Sequence, residues 1–326
     1  MSTFKKVLIV GFGSIGRKHA RIINKLCPLF EISICSKLRN NNFPEMEQVK
    51  NNFESIEESL VWSPDYVIIS SPCNFHLEQA LFFAERNIPI FIEKPIGEGS
   101  ECSELWDKLL SISKKSLIMV GYVFRHDECF KEMKKIIKSK KFGKLVEVDS
   151  YCGSWLPNWR GESDYKQSVS SKKSLGGGVL LELSHDLDIV NTLFGPINIQ
   201  YSSYFNSQLL DIDVEDAAII HANSKKCNSI TIKLNFCTNP QKRFLRLRFS
   251  KCEIIWNLLE REIVTKYPDK NNYKLFKSNF DNDFKYLMQL KNFFGLASKQ
   301  EKAICSVDEG LNVLKLITLA KKLNTK

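Results

Sequence analysis

A glycine-rich turn near the start of the chain constrains its fold more than any other segment. An apolar run over residues 7–10 leads into Gly11-Phe12-Gly13-Ser14-Ile15-Gly16, and residues 14–26 have the pattern of a helix. In such a unit the first glycine permits a tight turn, the second lets a diphosphate approach the backbone, and the third allows close helix–strand packing. The helix N-terminus adds free N–H donors and a partial positive charge. These six residues are therefore predicted to bind a dinucleotide.

Short apolar segments alternate with helical segments through the first 121 residues. Strands are predicted at 7–10, 31–35, 65–70, 90–92 and 117–120, and helices at 14–26, 56–60, 75–86 and 100–111. Continuous apolar strands separated by helices indicate a parallel sheet with both faces covered. The predicted fold class of residues 1–121 is an α/β Rossmann domain with a doubly wound parallel sheet, whose ligands bind at the carboxyl ends of the strands.

The remainder of the chain, residues 122–326, has a different pattern. Strands follow one another with only turns between them at about 199–205, 216–223, 229–236, 244–249 and 253–257. This series predicts an α+β domain with a mixed, mainly antiparallel sheet, which we expect to bind the substrate and to form oligomer contacts. Apolar residues alternate along one strand, at Ile230, Ile232, Leu234 and Phe236. They predict an apolar face that a second copy covers, in a dimer or tetramer.

Composition argues against several other classes of protein. The chain of 326 residues has a net charge of +10, but its lysines are spread along the sequence, so nucleic-acid binding is not expected. No apolar run approaches the roughly 20 residues of a membrane helix, and the N-terminus has no secretory pattern. The 10 cysteines lack the close spacing of a metal site. We therefore expect reduced thiols, no metal and a cytoplasmic location.

The end of the second predicted strand bears on the choice of cofactor. An acidic residue there would accept hydrogen bonds from the ribose of NAD and repel the 2′-phosphate of NADP. This chain instead has Ser36, Lys37 and Arg39, with no carboxylate between residues 35 and 39. These three residues are predicted to bind NADP(H) in preference to NAD(H). The alternative is that Lys37 and Arg39 are ordinary solvated charges.

A lysine follows the predicted strand at 90–92, in the sequence Glu93-Lys94-Pro95. When a hydride moves to or from carbon, a proton must move at the attached oxygen, so a positioned acid or base is needed. A cation there also stabilises developing alkoxide charge. Lys94 is therefore a candidate catalytic residue, unless it is only the ion-pair partner of Glu93.

Together these motifs resemble the Gfo/Idh/MocA family of NAD(P)-dependent sugar and cyclitol oxidoreductases. In the first domain the likeness is carried by residues 11–20, 65–76 and 93–95. In the second, Tyr122 and Arg125 resemble a Tyr-Asn-x-Arg-Phe segment of the family, although Val123 and His126 depart from it. Residues 176–188 resemble the glycine-rich helix of the family with its His-x-x-Asp pair.

The resemblance implies roles for the matching positions. Lys94 and His185 would transfer the proton, and Asp188, which shares a helix face with His185, would orient the imidazole. The implied cofactor residues are Ser71, Pro72, Asn74, His76, Glu93 and Lys94, with helix capping as an alternative for Asn74. The implied substrate residues are Tyr122, Arg125, Trp159, Arg160 and His185, although Trp159 and Arg160 could equally pack their loop. The role of Glu182 stays open, and Asp186 is expected to be solvated.

The function implied is transfer of a hydride between nicotinamide and a secondary alcohol or ketone. The substrate would be a sugar, sugar nucleotide or cyclitol, and the segment at 176–188 looks most like family members associated with bacterial surface-sugar biosynthesis. The alternative is a non-catalytic NAD(P)-binding sensor or regulatory protein, which would have no need to keep both Lys94 and His185.

Overall fold

The structure is a computed structural model that describes residues 4–37, 43–101, 103–161, 164–268, 272–298 and 303–324. The chain divides into two compact units, one of residues 1–123 and 282–314, the other of residues 124–281 and 315–326. The first division lies two residues after the expected boundary at residue 121. The observed arrangement differs from the expected one because residues 282–314 return to the first unit. Apolar periodicity shows that a helix packs, but not on which domain it packs.

The first unit contains a six-stranded sheet in the order β3-β2-β1-β4-β5-β6. Its strands are β1 (Lys6–Val10), β2 (Glu31–Cys35), β3 (Val49–Phe53), β4 (Tyr66–Ile69), β5 (Ile90–Ile92) and β6 (Ile118–Val120). Every neighbouring pair is parallel. The helices between them are α1 (Ser14–Leu26), α2 (His76–Ala84) and α3 (Ser103–Ser113). This order and direction confirm the predicted Rossmann fold.

Strand β3 is the one strand of this sheet that the sequence pattern did not predict. Its central residues Lys50, Asn51 and Asn52 are polar and exposed. They can be so because β3 lies at the edge of the sheet, where only β2 pairs with it. A polar edge strand carries no apolar signal, so it reads as loop.

The second unit contains helices α4 (Glu128–Lys138), α5 (Val179–Glu182) and α6 (Ser184–Phe194) and an eight-stranded sheet. The strands are β7 (Leu145–Trp155), β8 (Asn198–Phe205), β9 (Ala217–Ser224), β10 (Cys227–Asn235), β11 (Cys237–Phe249), β12 (Glu253–Asn257), β13 (Glu262–Lys266) and β14 (Tyr273–Lys277). Their order is β14-β13-β12-β11-β7-β10-β9-β8. Only β7 and β10 pair in parallel among these neighbours. The sheet is therefore mixed and mainly antiparallel, as predicted.

The last two helices are α7 (Phe284–Ser298) and α8 (Val307–Lys322), and the third division of the chain, after Leu314, falls within α8. Helix α7 packs beside α1 and contributes Leu290, Phe293 and Phe294 to the core of the first unit. The Phe293 ring lies 5.8 Å from the ring of Phe91 on β5. This core therefore depends on a segment far along the chain.

The apolar face expected to be covered by a second copy is already buried within the single chain. Ile230, Ile232, Leu234 and Phe236 are all at most 1% exposed within the single chain. Helices α5 and α6 contact β10. Because these apolar side chains are already covered, they give no reason to expect a second copy. Within the described ranges, no helix is both long and apolar enough to cross a membrane.

Candidate active site

The glycine turn has the geometry that a dinucleotide site requires. Gly11 has a φ of +85°, and its N–H donates to the carbonyl of Cys35 at 2.9 Å. A Cβ on Gly11 would lie 2.5 Å from the backbone nitrogen of Ser71, and one on Gly16 would lie 2.3 Å from the carbonyl oxygen of Gly11. A Cβ on Gly13 would meet nothing within 4 Å. Two glycines therefore close the turn, while the middle one faces open space that a diphosphate could fill.

The N-terminus of α1 is suited to an anion. Gly13 precedes the helix, no side chain caps it, and its first turn contains no acidic residue. Its unpaired N–H groups and partial positive charge therefore meet no competing carboxylate in that turn. Ser14 is exposed and Ile15 half-buried, whereas the side chain of Phe12 is 1% exposed in the apolar core. Phe12 can therefore offer a cofactor only its backbone.

The loop after β4 is joined to the glycine turn by a residue that the sequence motifs did not identify. The Ser70 hydroxyl donates to the carbonyl oxygen of Gly11 at 2.7 Å. The next hydroxyl, of Ser71, donates to Oε1 of Gln79 at 2.6 Å. Pro72 follows, and its carbonyl accepts a bond from the Phe75 N–H at 3.0 Å. Ser70 lies within the run of residues 65–76 that resembles the family, but a serine ending an apolar strand looks like an ordinary turn residue, so no role was predicted for it.

His76 joins this loop to the segment that carries Lys94. Its Nδ1 lies 2.8 Å from the carbonyl oxygen of Pro95, and its Nε2 lies 2.8 Å from that of Ser71. Burial lowers the pKa of His76 below its usual value, and the two contacts with carbonyl oxygens offset only part of this effect. The side chain is 1% exposed. His76 therefore braces the loops of two neighbouring strands, and Asn74 lies in the short 3-10 turn just before it.

Glu93 and Lys94 begin where β5 ends. Glu93 is buried and Lys94 is half-buried. The Glu93 carboxylate accepts a bond from the backbone N–H of Lys94 at 3.1 Å and lies 2.7 Å from Nε2 of His19. Glu93 thus holds the backbone at Lys94. Because the glycine turn follows β1 and Lys94 follows β5 of the same parallel sheet, both lie at its carboxyl edge.

The carboxyl end of β2 has acidic neighbours from another segment. The Ser36 N–H donates to Oδ1 of Asn52 at 3.2 Å, and Lys37 is exposed. Burial, with further contributions from the charges of Glu57 and Glu58, raises the pKa of Cys35 to about 11. Sequence inspection of β2 alone misses these carboxylates because they follow β3. Arg39, also predicted to bind the cofactor, lies outside the described residues.

In the second unit, close packing explains two of the three glycines before His185. Gly178 has a φ of +111°, and a Cβ on it would lie 2.5 Å from Oε1 of Glu215. A Cβ on Gly177 would lie 2.5 Å from the carbonyl oxygen of Val169. Burial raises the pKa of Glu215. The glycine-rich helix that the resemblance implies for residues 176–188 is interrupted at Leu183, with Glu182 ending α5 and His185 in the first turn of α6.

His185 lies in a cluster of aromatic and charged side chains. Its ring is 5.2 Å from that of Phe124, over which the Arg243 guanidinium sits at 4.4 Å. Arg243 donates to Oδ2 of Asp186 at 2.7 Å, and the Ser150 hydroxyl donates to Oδ1 of the same carboxylate at 3.2 Å. The expectation that Asp186 is solvated is therefore wrong, because the side chain is 1% exposed and joins α6 to β7 and β11.

Arg125 and Asp188, expected to act separately, form a buried ion pair. Arg125 donates from Nη2 to Oδ1 of Asp188 at 2.6 Å and from Nε to both carboxylate oxygens at 3.1 Å. The side chains are 3% and 1% exposed. The structure thus places the Asp188 carboxylate against Arg125, a partner that the sequence did not suggest, and the orienting role of Asp188 toward His185 stays a prediction. This buried charge pair holds α6 to the segment before α4.

The remaining substrate candidates are placed as follows. Tyr122 is fully buried and belongs to the first unit. Trp159 donates from Nε1 to the Ser154 hydroxyl at 2.9 Å and meets the Phe236 ring edge-on at 5.2 Å. The backbone of Arg160 ends the 3-10 turn Leu156–Arg160, and its side chain lies outside the described part. The contacts of Trp159 match the packing role that the sequence left open.

No group of three or more His, Cys, Asp or Glu side chains in the described ranges is placed to hold a metal ion. The nine cysteines of those ranges are free thiols. Among the residues expected to bind a cofactor, the structure brings together the glycine turn, Ser71, His76, Glu93 and Lys94 in one unit. These residues fit a dinucleotide, whose diphosphate would occupy the open space beside Gly13.

Comparison with known proteins agrees with this geometry. The family model described as "Oxidoreductase family, NAD-binding Rossmann fold" of GFO/IDH/MocA matches residues 5–122, and the model of the GFO/IDH/MocA C-terminal domain matches residues 130–255. The solved structure of levoglucosan dehydrogenase in complex with NADH has a TM-score of 0.82 at 14% identity. That match covers 99% of this chain and 98% of the other, and it shows the shared fold.

Curated relatives match about half of the chain. An inositol 2-dehydrogenase of Agrobacterium fabrum is 29% identical over 143 residues, which are 41% of this chain and 42% of that protein. A 2,7-anhydro-N-acetylneuraminate hydratase of Mediterraneibacter gnavus is 26% identical over 193 residues, 57% of this chain and 48% of that protein. The chain spans about half the length of these relatives. With both domain models matched and the Rossmann sheet in place, the chain belongs to the Gfo/Idh/MocA oxidoreductase family.

Proposed function

We propose that the protein is an NAD(P)-dependent oxidoreductase that transfers a hydride between nicotinamide and a secondary alcohol or ketone. The substrate class is a sugar, sugar nucleotide or cyclitol. One observation carries the proposal: an open glycine turn and Lys94 lie at the carboxyl edge of one parallel sheet, with Ser70 and His76 tying the intervening loop to both. The inositol 2-dehydrogenase relative supports an alcohol substrate.

The residues of the chain have distinct parts in this reaction. Bound nicotinamide would supply the hydride chemistry, and the N–H groups at the start of α1 would hold the diphosphate. Lys94 would exchange the proton at the substrate oxygen and stabilise negative charge that develops there. His185, beside Phe124 and near the charge of Arg243, is proposed as a second proton-transfer group.

NADP(H) is the cofactor that we propose to be preferred. Support comes from Ser36 and Lys37 after β2, where the chain has no carboxylate of its own. Glu57 and Glu58 act in the opposite direction, since their negative charge reaches Cys35. The preference is therefore expected to be modest, and the ratio of NADPH to NADH dissociation constants, measured by nicotinamide fluorescence, tests it. A ratio above one would contradict the proposal.

A homo-oligomer and a cytoplasmic location are also proposed. Tyr201 and Phe205 lie on the edge strand β8 and are 42% and 49% exposed. Such large exposed side chains on a sheet edge favour contact with another chain. Sedimentation of a clean monomer at micromolar concentration would count against the oligomer. The nine free thiols of the described ranges support a reducing compartment.

A second candidate function is suggested by the hydratase among the relatives, whose name does not describe a net oxidation. The two candidates differ in stoichiometry. A dehydrogenase converts one cofactor for each product, whereas a net hydration leaves the cofactor pool unchanged. A panel of sugars, sugar nucleotides and cyclitols, with cofactor absorbance and product followed together, separates them. Tight cofactor binding without turnover of any panel member would favour the non-catalytic sensor instead.

A further inference from the structure

His19 and Glu93 form a buried pair that none of the roles above uses. His19 lies on α1, its side chain is fully buried, and its Nε2 is 2.7 Å from Oε1 of Glu93. The other carboxylate oxygen of Glu93 accepts a hydrogen bond from the backbone N–H of Lys94 at 3.1 Å. Both oxygens of the Glu93 side chain therefore have a polar partner, one on α1 and one at the Lys94 backbone.

The surroundings leave this carboxylate little room to move. The ring of Phe91 meets the His19 ring edge-on at 5.3 Å. A Cβ on Gly121 would lie 3.1 Å from Oε2 of Glu93 and 3.0 Å from Cζ of Phe91. A buried carboxylate is stable only while its hydrogen bonds are made. Loss of the imidazole would therefore weaken the hold on the Glu93 side chain and on its hydrogen bond with the Lys94 N–H.

We propose that His19 is a positioning residue for Lys94. It holds the Glu93 carboxylate against the Lys94 N–H and so fixes the direction in which the chain leaves β5. The proposal rests on the proposed function, in which Lys94 exchanges the substrate proton. Since His19 is on the helix that follows the glycine turn, the same contact ties α1 to the segment that carries Lys94.

Three variants of α1 separate this role from simple core packing. His19→Leu removes the donor at similar volume. His19→Gln keeps an N–H that can reach Glu93. Ile22→Ala is the matched control, because Ile22 is a buried apolar residue of the same helix, 5% exposed, whose loss creates a cavity.

Steady-state kinetics and cofactor binding are measured on the full chain. We expect His19→Leu to lower kcat by about tenfold or more, with KM and the NADPH dissociation constant within about threefold of wild type. His19→Gln should recover most of the loss, and Ile22→Ala should keep kcat while lowering thermal stability. In a Lys94→Met background, His19→Leu should cause no further fall, because the group it acts through is gone. Wild-type kcat in His19→Leu, or an equal fall in both backgrounds, would overturn the proposal.

Hydrogen exchange tests the same contact without turnover. In His19→Leu the Lys94 amide should exchange about tenfold faster, because its acceptor is released, while His19→Gln and Ile22→Ala stay near wild type. If the wild type turns over no substrate, the proposed function fails and exchange alone decides the role of His19. An unchanged exchange rate of the Lys94 amide in His19→Leu would overturn the positioning role of His19. If that variant does not fold, His19→Asn, whose amide is too short to reach Glu93, replaces it with the same expectations.

Discussion

The ion pair between Arg125 and Asp188 leads to a quantitative prediction about stability. Removal of one partner, as in Asp188→Ala, leaves a buried guanidinium without its counter-ion. The two side chains are 3% and 1% exposed, with three hydrogen-bond contacts between them. Breaking such a pair costs about 3–5 kcal/mol, which lowers the ratio of folded to unfolded protein by about two to four powers of ten.

Equilibrium urea unfolding of the protein without cofactor measures this cost. The joint variant Arg125→Met/Asp188→Leu should lie within about 2 kcal/mol of wild type, because neither charge is then left buried alone. Asp211→Ala is the control, since Asp211 pairs with Lys166 at the surface with 80% of its side chain exposed, and it should not change the unfolding free energy measurably. An unchanged unfolding free energy in Asp188→Ala would refute the structural role assigned to the pair.

Two further predictions concern pH and cofactor choice. Burial, followed by the charges of Lys131 and Arg125, lowers the pKa of His126 from 6.5 to about 4. Because the unfolded chain takes up this proton first as pH falls, the stability due to neutral His126 is present above pH 6.5 and lost between 6.5 and about 4. Urea unfolding at both ends of that window should show a loss on the order of 3 kcal/mol that His126→Leu lacks; a parallel pH dependence in the variant would contradict it. Lys37→Glu should lower the preference for NADPH over NADH about tenfold and Glu58→Gln should raise it about threefold; unchanged dissociation-constant ratios would show that neither charge reaches the 2′-phosphate.

The sequence predicts the framework of both units well, because that framework follows from local apolar patterns. The runs that became β1, β4, β5 and β6 are continuously apolar, and buried parallel strands need such runs. The glycine turn was recognisable because each of its three glycines meets a different steric requirement of a dinucleotide site. Polar β3 was missed since an edge strand needs no apolar face, and the return of α7 to the first core left no local trace.

The site was predictable in its motifs but not in its side-chain partners. Arg125 lies 63 residues before Asp188, and His19 lies 74 residues before Glu93. Neither pairing follows from helical spacing, which placed Asp188 and His185 on one helix face and so predicted a contact between those two. The burial of Asp186 was missed for the same reason, since Arg243 reaches it from β11. Long-range charge matching is decided by the packed chain and not by local sequence.

The role of Lys94 is tested by one variant, Lys94→Met, assayed with the best substrate of the panel. Removal of a positioned acid or base typically lowers turnover by about 10²–10⁴-fold. We therefore expect kcat to fall by about that factor, with the dissociation constant for NADPH within about fivefold of wild type. Full turnover in Lys94→Met with normal cofactor binding would contradict the assignment of Lys94 as the group that exchanges the substrate proton.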